Sequence, residues 1–316
     1  MLRVKRLVFS SLFVMAFGLI AAAEEQPRCS MWVDLYLGEP VEWETMMEDL
    51  LSVEMIIIGE SHRLQRHHKW QTKIIESLAS QNRKVLLGVE PLEAQFMNEL
   101  QRYNEGKITF EELAERISWA EKWSNYRDYQ PLFEATLDSG GRVVALNADA
   151  DVIRKIARQG FNSLTNTERS SLPNDIHFEE PLYEKLLNKV LLIHMTFTEE
   201  VLNQAYRAQV SRDETMAEQM ALAWQSIEQQ SEWIGVVVCG SGHCSYGLGL
   251  PSRLQRRLPD TSQRIVLMSE SGETELTEAE KAMKRDLDLS HADLRFLQRP
   301  IADYLQVIEA KENDEE

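Results

Sequence analysis

Three segments of this 316-residue chain carry side chains able to do acid–base or metal chemistry: Glu60 and His62 in "IIIGESHRLQRHH", Glu90 in "GVEP", and His243 in "CGSGHCSYG". Two carboxylates and two imidazoles have a short list of uses. Glu60, His62, Glu90 and His243 could ligate a divalent metal such as zinc or manganese, or an imidazole held by Glu60 or Glu90 could take a proton from water. Either use makes a hydrolase. Cys244, beside His243, offers a lesser nucleophilic route, because neighbouring residues leaving a strand point apart. The segment lacks the G-x-S-x-G of a nucleophile elbow, and its glycines do not follow a dinucleotide-binding fingerprint.

Each group also has a plainer use. Glu60 and His62 could cap the helix that follows them, and Glu90 could be a solvated turn acid before Pro91. Asn147 reads as an N-cap or turn residue, and His67 and His68 fall on the first turns of a helix, one facing solvent and the other lining a site. His243 is the hardest to explain away, since Gly240 and Gly242 beside it permit close backbone approach at a cost in chain entropy.

The elements that must position these groups follow from the apolar runs. Ile56, Ile57 and Ile58 are stiff at χ1 and suit a pleated core strand, which Gly59 ends. "KVLLGVE" repeats the pattern and is broken by Pro91, "GGRVVALNAD" ends at Asn147, and "WIGVVVCGSGH" ends at His243. "MWVDLYLG", "RIVLMS" and "ADYLQVI" read as further strands; "VEWETMMEDLLS", residues 65–80, 92–137 and 148–158 read as helical. Alternating strand and helix predicts an α/β fold, three-layer α/β/α with a mostly parallel sheet. All four strand exits then lie on one edge, the carboxyl edge, where open α/β sheets place ligands. Residues 162–232 are helical throughout and read as an insertion or lid roofing that edge.

Composition narrows the setting. Arg3, Lys5 and Arg6, the apolar run Leu7 to Ile20 and the small residues Ala21 to Ala23 form a secretory signal pattern, so residues 1–23 are expected to be removed and 24–316 to form one exported, periplasmic or secreted domain. Lipoprotein anchoring is not expected, because Cys29 follows Gln26, Pro27 and Arg28 instead of small residues. The formal charge of −17 argues against nucleic acid as a partner. Three cysteines, Cys29, Cys239 and Cys244, are too few for a disulfide scaffold, though a bridge between two of them stays open. The acidic end 310–316 reads as a disordered tail.

Taken in order, G-E-x-H at 59–62 with His67 and His68, "GVEPLEAQ" at 88–95, "WSNYRDYQPL", "LNA" at 146–148, "DETMAEQMA" at 213–221 and "GSGHCSYGLGLPSRL" at 240–254 resemble the ChaN-like family of the superfamily that includes Tiki, TraB and the erythromycin esterases. The resemblance implies a haem-binding protein of haem or iron acquisition, with haem or iron transport proteins as partners and a homodimer compatible with it. It implies an axial tyrosine, with Tyr246 first and Tyr129, Tyr126 and Tyr206 behind it, and His243 or His67 supporting or ligating. Arg63, Arg66 and Arg253 would meet the propionates, and Met195, Phe197, Met216 and Met220 would wall the slot. The chain has no C-x-x-C-H attachment motif, so any haem is held noncovalently. The superfamily's two G-x-x-H motifs and glutamate fall on His62, His243 and Glu90 or Glu60, which keeps the hydrolase reading beside the haem reading.

Overall fold

The computed structural model describes residues 30–194, 198–269 and 291–308. The signal segment, Cys29, Met195, Phe197 and the acidic tail lie outside the described residues.

The strands are β1 (Ser30–Asp34), β2 (Glu39–Val41), β3 (Met55–Glu60), β4 (Lys84–Glu93), β5 (Arg142–Asn147), β6 (Trp233–Gly240), β7 (Gln263–Met268) and β8 (Tyr304–Ile308). They form one sheet in the order β2-β1-β8-β7-β3-β6-β4-β5. The pairs from β8 to β5 are all parallel, and β1 runs antiparallel to both β8 and β2. All six residues of β3 are buried, which is why its sequence is a continuous apolar run and not an alternating one.

Helices cover both faces: α1 (Trp43–Leu51), α2 (Gln65–Ser80), α3 (Met97–Asn104), α4 (Phe110–Arg116), α5 (Trp119–Lys122), α6 (Gln130–Asp138), α7 (Ala150–Gln159), α8 (Asn166–Ser170), α9 (Pro181–His194), α10 (Glu199–Gln225) and α11 (Leu250–Arg257). Because strand side chains alternate, Ile56, Ile58, Leu87, Val89, Val236 and Val238 face one layer with Ile74, Leu78 and Phe133. Met55, Ile57, Leu86, Val144 and Val237 face the other, with Met216, Met220 and Trp224 of α10 and Leu254 of α11. Each such fully buried side chain contributes roughly 1.5–3 kcal/mol of transfer free energy. The expected three-layer α/β/α architecture is therefore what forms.

Two details differ from the sequence-based expectation, and both bear on the site. The strand at 84–90 does not stop before Pro91. β4 runs on to Glu93, but its register with β5 shifts between Val89 and Glu93, so Glu90 to Leu92 occupy a bulge. Ladder pairing with β6 ends at Val89, so Pro91 loses no sheet hydrogen bond there. Bulges re-aim side chains, and this one sets Glu90 at the carboxyl edge. The second detail is α10, a 27-residue helix within the expected insertion. Its C-terminal half packs on the sheet as part of a layer, which puts Met216 and Met220 in the core and not in a slot.

Candidate functional site

β3, β4 and β6 are neighbours with β6 in the middle, and their carboxyl ends bring Glu60, Glu90 and the loop 240–243 together. Glu60 is buried. Its Oε1 accepts hydrogen bonds from His62 Nδ1 (2.7 Å) and the Tyr129 hydroxyl (2.5 Å), and its Oε2 accepts one from Gln71 Nε2 (2.6 Å). A matching arm comes from α10. Asp213 Oδ1 lies 2.6 Å from His243 Nδ1, and its Oδ2 accepts from the Tyr183 hydroxyl at 2.6 Å.

Glu90 sits between the arms. Its Oε1 is 3.3 Å from His243 Nε2 and accepts from Arg212, while its Oε2 accepts the Gly240 N–H at 2.7 Å and lies 3.8 Å from His62 Nε2. The centre thus reads tyrosine–carboxylate–histidine, glutamate, histidine–carboxylate–tyrosine. With a carboxylate at each Nδ1, that nitrogen carries the proton and Nε2 is the working end of both rings. The approach also requires glycine at 240, where a Cβ would stand 2.9 Å from His62 Nε2 and 3.5 Å from Glu90 Oε2.

The charges follow from this packing. Burial alone would raise Glu90, but His243, Arg212 and His62 outweigh it and hold its carboxyl well below the usual range. Burial opposes a charge on His243 as well, yet Glu90 and Asp213 raise it to about 9, so it is an imidazolium at neutral pH. His62 is raised in the same way, against burial, by its hydrogen bond to Glu60 and by Glu90. Burial, the Glu60 charge and its hydrogen bond push Tyr129 well above its ordinary value; burial and Asp213 do the same to Tyr183. Both phenols are hydrogen-bond donors fixed to carboxylates.

Only one member of the centre faces outward to any extent. The His62 side chain is 28% exposed against 6% for His243. It opens on a cavity of about 610 Å³, and Trp123 meets its ring edge-on at 4.8 Å. A second cavity of about 490 Å³, reached by Arg212 and Asn147, lies on the other side of Lys122 and Trp123.

The structure brings Glu60, His62, Glu90 and His243 together, and none of the plainer uses accounts for them. α2 begins at an N-cap, Leu64, with no side-chain cap, and Asp149, not Asn147, caps α7. Asn147 Oδ1 instead accepts from its neighbour's amide and from Arg212 Nε at 3.2 Å. The four do not form a metal cage: among the described residues no group of three or more His, Cys, Asp or Glu side chains is placed to hold an ion.

Several residues expected at a haem site have other employment. His67 is buried with Nδ1 accepting from the Ser61 amide (3.0 Å) and Nε2 3.1 Å from the Ser269 carbonyl, and burial lowers it to about 4. His68 does line the centre, 3.4 Å from Glu60 Oε2. Tyr129 is wholly buried as a donor to Glu60. Arg253 is also wholly buried, beside Glu180 (3.1 Å) and Glu214 (3.4 Å), so it is not placed to meet a propionate. Tyr126 is buried against Phe110 and Trp119, and the Tyr206 hydroxyl donates to the Phe178 carbonyl. Arg66 donates to the Ser269 carbonyl, whereas Arg63 is exposed at the 610 Å³ cavity. Cys239 and Cys244 are buried thiols with no bridge between them, and a bridge to Cys29 falls outside the described residues. Tyr246 is half-buried in the loop after His243.

Reading the sequence missed Asp213, Tyr183, Gln71 and Arg212. Asp213 stood within a recognised segment, "DETMAEQMA", but with no role; its signal was an acid pair set in an Ala/Met-rich helix.

Fold and centre together define an α/β protein with a buried acid–base cluster at the carboxyl edge of a parallel sheet. Comparison with known proteins gives the particular kind: the chain belongs to the family described as haem-binding uptake, Tiki superfamily, ChaN, which matches residues 46–254. Among solved structures it is similar to ChaN of Campylobacter jejuni, a protein with cofacial haem binding, at a TM-score of 0.63 and 19% identity, covering 89% of this chain and 97% of that one. That likeness establishes the shared fold. Among curated proteins it is similar to RETICULATA-RELATED 5, chloroplastic, of Arabidopsis thaliana, 24% identical over 253 residues. The match takes in 73% of this chain and 34% of the Arabidopsis protein, so the chain spans about a third of that relative's length.

Proposed function

We propose that this protein binds haem noncovalently through Tyr246 and is exported to serve haem or iron acquisition. Membership of a haem-binding family supports the ligand, and the signal pattern of residues 1–23 supports export. The observation that carries the assignment to one loop is the backbone of Tyr246, left-handed at φ 61° and ψ 18°. That conformation costs a tyrosine about 1–2 kcal/mol and belongs to glycine or asparagine by preference.

The surroundings fit the group. Tyr246 packs on an apolar cluster that includes Tyr183, Leu248, Phe296 and Leu297, and the exposed Arg299 lies against Gly247, its Nη1 only 2.9 Å from where a Cβ would stand. Haem supplies a ferric iron that favours a phenolate donor, apolar faces and two propionates. Tyr246 would hold the iron, the cluster the faces and Arg299 a propionate. Burial raises the Tyr246 phenol, so binding through it releases a proton and tightens as pH rises.

The test is a titration of residues 24–316 with ferric haem, followed in the visible spectrum for wild type and Tyr246→Phe. Saturable binding with a high-spin spectrum, lost or altered in the variant, is the expected result. No saturable binding by wild type ends the haem reading, and an unchanged variant spectrum removes Tyr246 as ligand.

A second reading rests on a separate observation, the two carboxylate-held histidines aimed at Glu90. Such an arrangement suits general acid–base hydrolysis, with the imidazoles exchanging protons and Glu90 balancing their charge. On this reading a panel of esters and amides contains a member that wild type and Tyr246→Phe turn over, and Glu90→Gln lowers that rate by at least about a hundredfold. A panel that wild type leaves intact, or a Glu90→Gln variant at full rate, counts against it.

A further inference from the structure

Glu60, Glu90 and His243 are buried, so a ligand reaches the middle of the centre only when something in front of it moves. The 610 Å³ cavity at His62 and the 490 Å³ cavity at Arg212 and Asn147 approach the centre from two sides. A short piece of chain stands between them. Lys122 and Trp123 line both spaces, Glu121 lines the smaller, and Ser124 and Asn125 line the larger.

That piece is built as a strap. Its ends are anchored in the core by Trp119 and Tyr126, buried rings 5.9 Å apart that both pack on Phe110. Between the anchors Ala120, Glu121, Lys122 and Ser124 are exposed, and Trp123 and Asn125 are half-buried. Local structure adds little stability: α5 is a single turn with no side-chain cap, too short to hold by itself. It starts from Ser118 at φ 50° and ψ 42°, a left-handed backbone that serine rarely adopts. Side chains fasten the strap over the centre. The Lys122 ammonium bonds Glu93 Oε1 at 2.5 Å, the Asn125 side chain donates to the His62 carbonyl, and the Trp123 ring meets His62 edge-on at 4.8 Å. The ion pair sits at a rim that water reaches, so it is weak and parts without disturbing the sheet.

We infer that residues 119–125 are a gate: released from Glu93 and from the His62 carbonyl, the strap swings outward between its two core anchors, carries Trp123 off His62 and joins the two cavities in front of Glu90. An element that must open is drawn from the least stable parts of a fold, and a single uncapped turn between two rigid anchors is such a part. The gate works alike whether the centre behind it acts on a bond or only holds a ligand, and it is separate from the Tyr246 loop.

Hydrogen exchange tests this, because the strap and the centre each hold a reporter amide. The residue 123 N–H donates to the Trp119 carbonyl within the strap, and the Gly240 N–H donates to Glu90 Oε2 behind it. In residues 24–316 at pH 7, Glu93→Gln keeps the shape and removes the charge that holds Lys122. It should speed exchange at both amides by a common factor of about five. Trp123→Ala should speed both further, and Lys107→Gln, on an exposed ion pair outside the strap, should change neither. A probe larger than water reads the same opening: diethyl pyrocarbonate, followed by mass spectrometry, should acylate His243 about fivefold faster in Glu93→Gln than in wild type. The gate is overturned if neither variant speeds Gly240, if Gly240 and the strap amide respond independently, or if both variants acylate His243 at the wild-type rate.

Discussion

Glu90→Gln is expected to unfold about 3 kcal/mol more easily than wild type at neutral pH, a fall of roughly 6 °C in Tm. The carboxylate is buried among the His243 imidazolium, the Arg212 guanidinium, the His62 imidazole and a backbone amide. Glutamine keeps the shape and can still accept from the Gly240 amide. It leaves His243 with Asp213 alone and deprives Arg212 of its only charged partner among the described residues, so two cations lose a counter-charge in a site with little water to replace it. Because the folded-state value of Glu90 is depressed, its contribution is complete above about 4.5, the ordinary value, and shrinks as pH falls through the lowered one. The gap between variant and wild type should therefore be widest above pH 4.5 and narrow in acid. Urea titrations of both proteins at several pH values measure it. A gap below about 0.5 kcal/mol at pH 7 would mean that Glu90 is solvated, and the two arms would not share a central charge.

Glu90 also shows what the sequence could and could not say. A run such as "KVLLGVE" has no reading other than a buried strand, and the carboxyl edge of a parallel sheet gathers whatever such strands end in. Glu60, His62, Glu90 and His243 were legible for that reason, and α2 was legible to its ends, Gln65 and Ser80, because helical periodicity starts and stops there. Pro91 was misleading. A proline usually ends a strand, but here the ladder to β6 has already closed at Val89 and the bulge absorbs the missing donor.

The partners of the two histidines were hidden for a different reason. Asp213 and Glu214 lie in the middle of a 27-residue helix, where acids normally face solvent. They are buried because elements far away in sequence converge on them: His243 and Tyr183 on Asp213, Arg253, Arg256 and Arg257 on Glu214. Helical periodicity records which face is apolar, not which acid has a distant cation. The basic run "SRLQRR" at 252–257 held the complementary half of that information, and only the fold places the two halves together. Tyr129 shows the converse, since its residue type suggested an iron ligand and its position makes it a donor to Glu60.

The two most perturbed imidazoles predict a stability maximum near pH 6.5, with a separate cause for each limb. His243 is raised from 6.5 to about 9 in the folded protein. A group raised by folding contributes fully below its unfolded value and loses that contribution as pH rises through the folded one, so stability should decline from about pH 6.5 to pH 9 by on the order of 3 kcal/mol. His62, raised by the same carboxylates, acts in the same direction. His67 is lowered to about 4, because burial between two backbone partners disfavours its charge. Its contribution is complete above 6.5 and is lost as pH falls towards 4, where protonation forces a donor against the Ser61 amide. Urea unfolding from pH 4 to pH 10 should give a dome whose limbs respond to different variants. His243→Asn flattens the alkaline limb and leaves the acid limb, and His67→Asn does the reverse. If His243→Asn retains the alkaline decline undiminished, so that none of it belongs to His243, the imidazole is neutral in the folded protein at pH 7. The arm from Tyr183 through Asp213 would then present a proton acceptor, not a donor, to whatever ligand reaches Glu90.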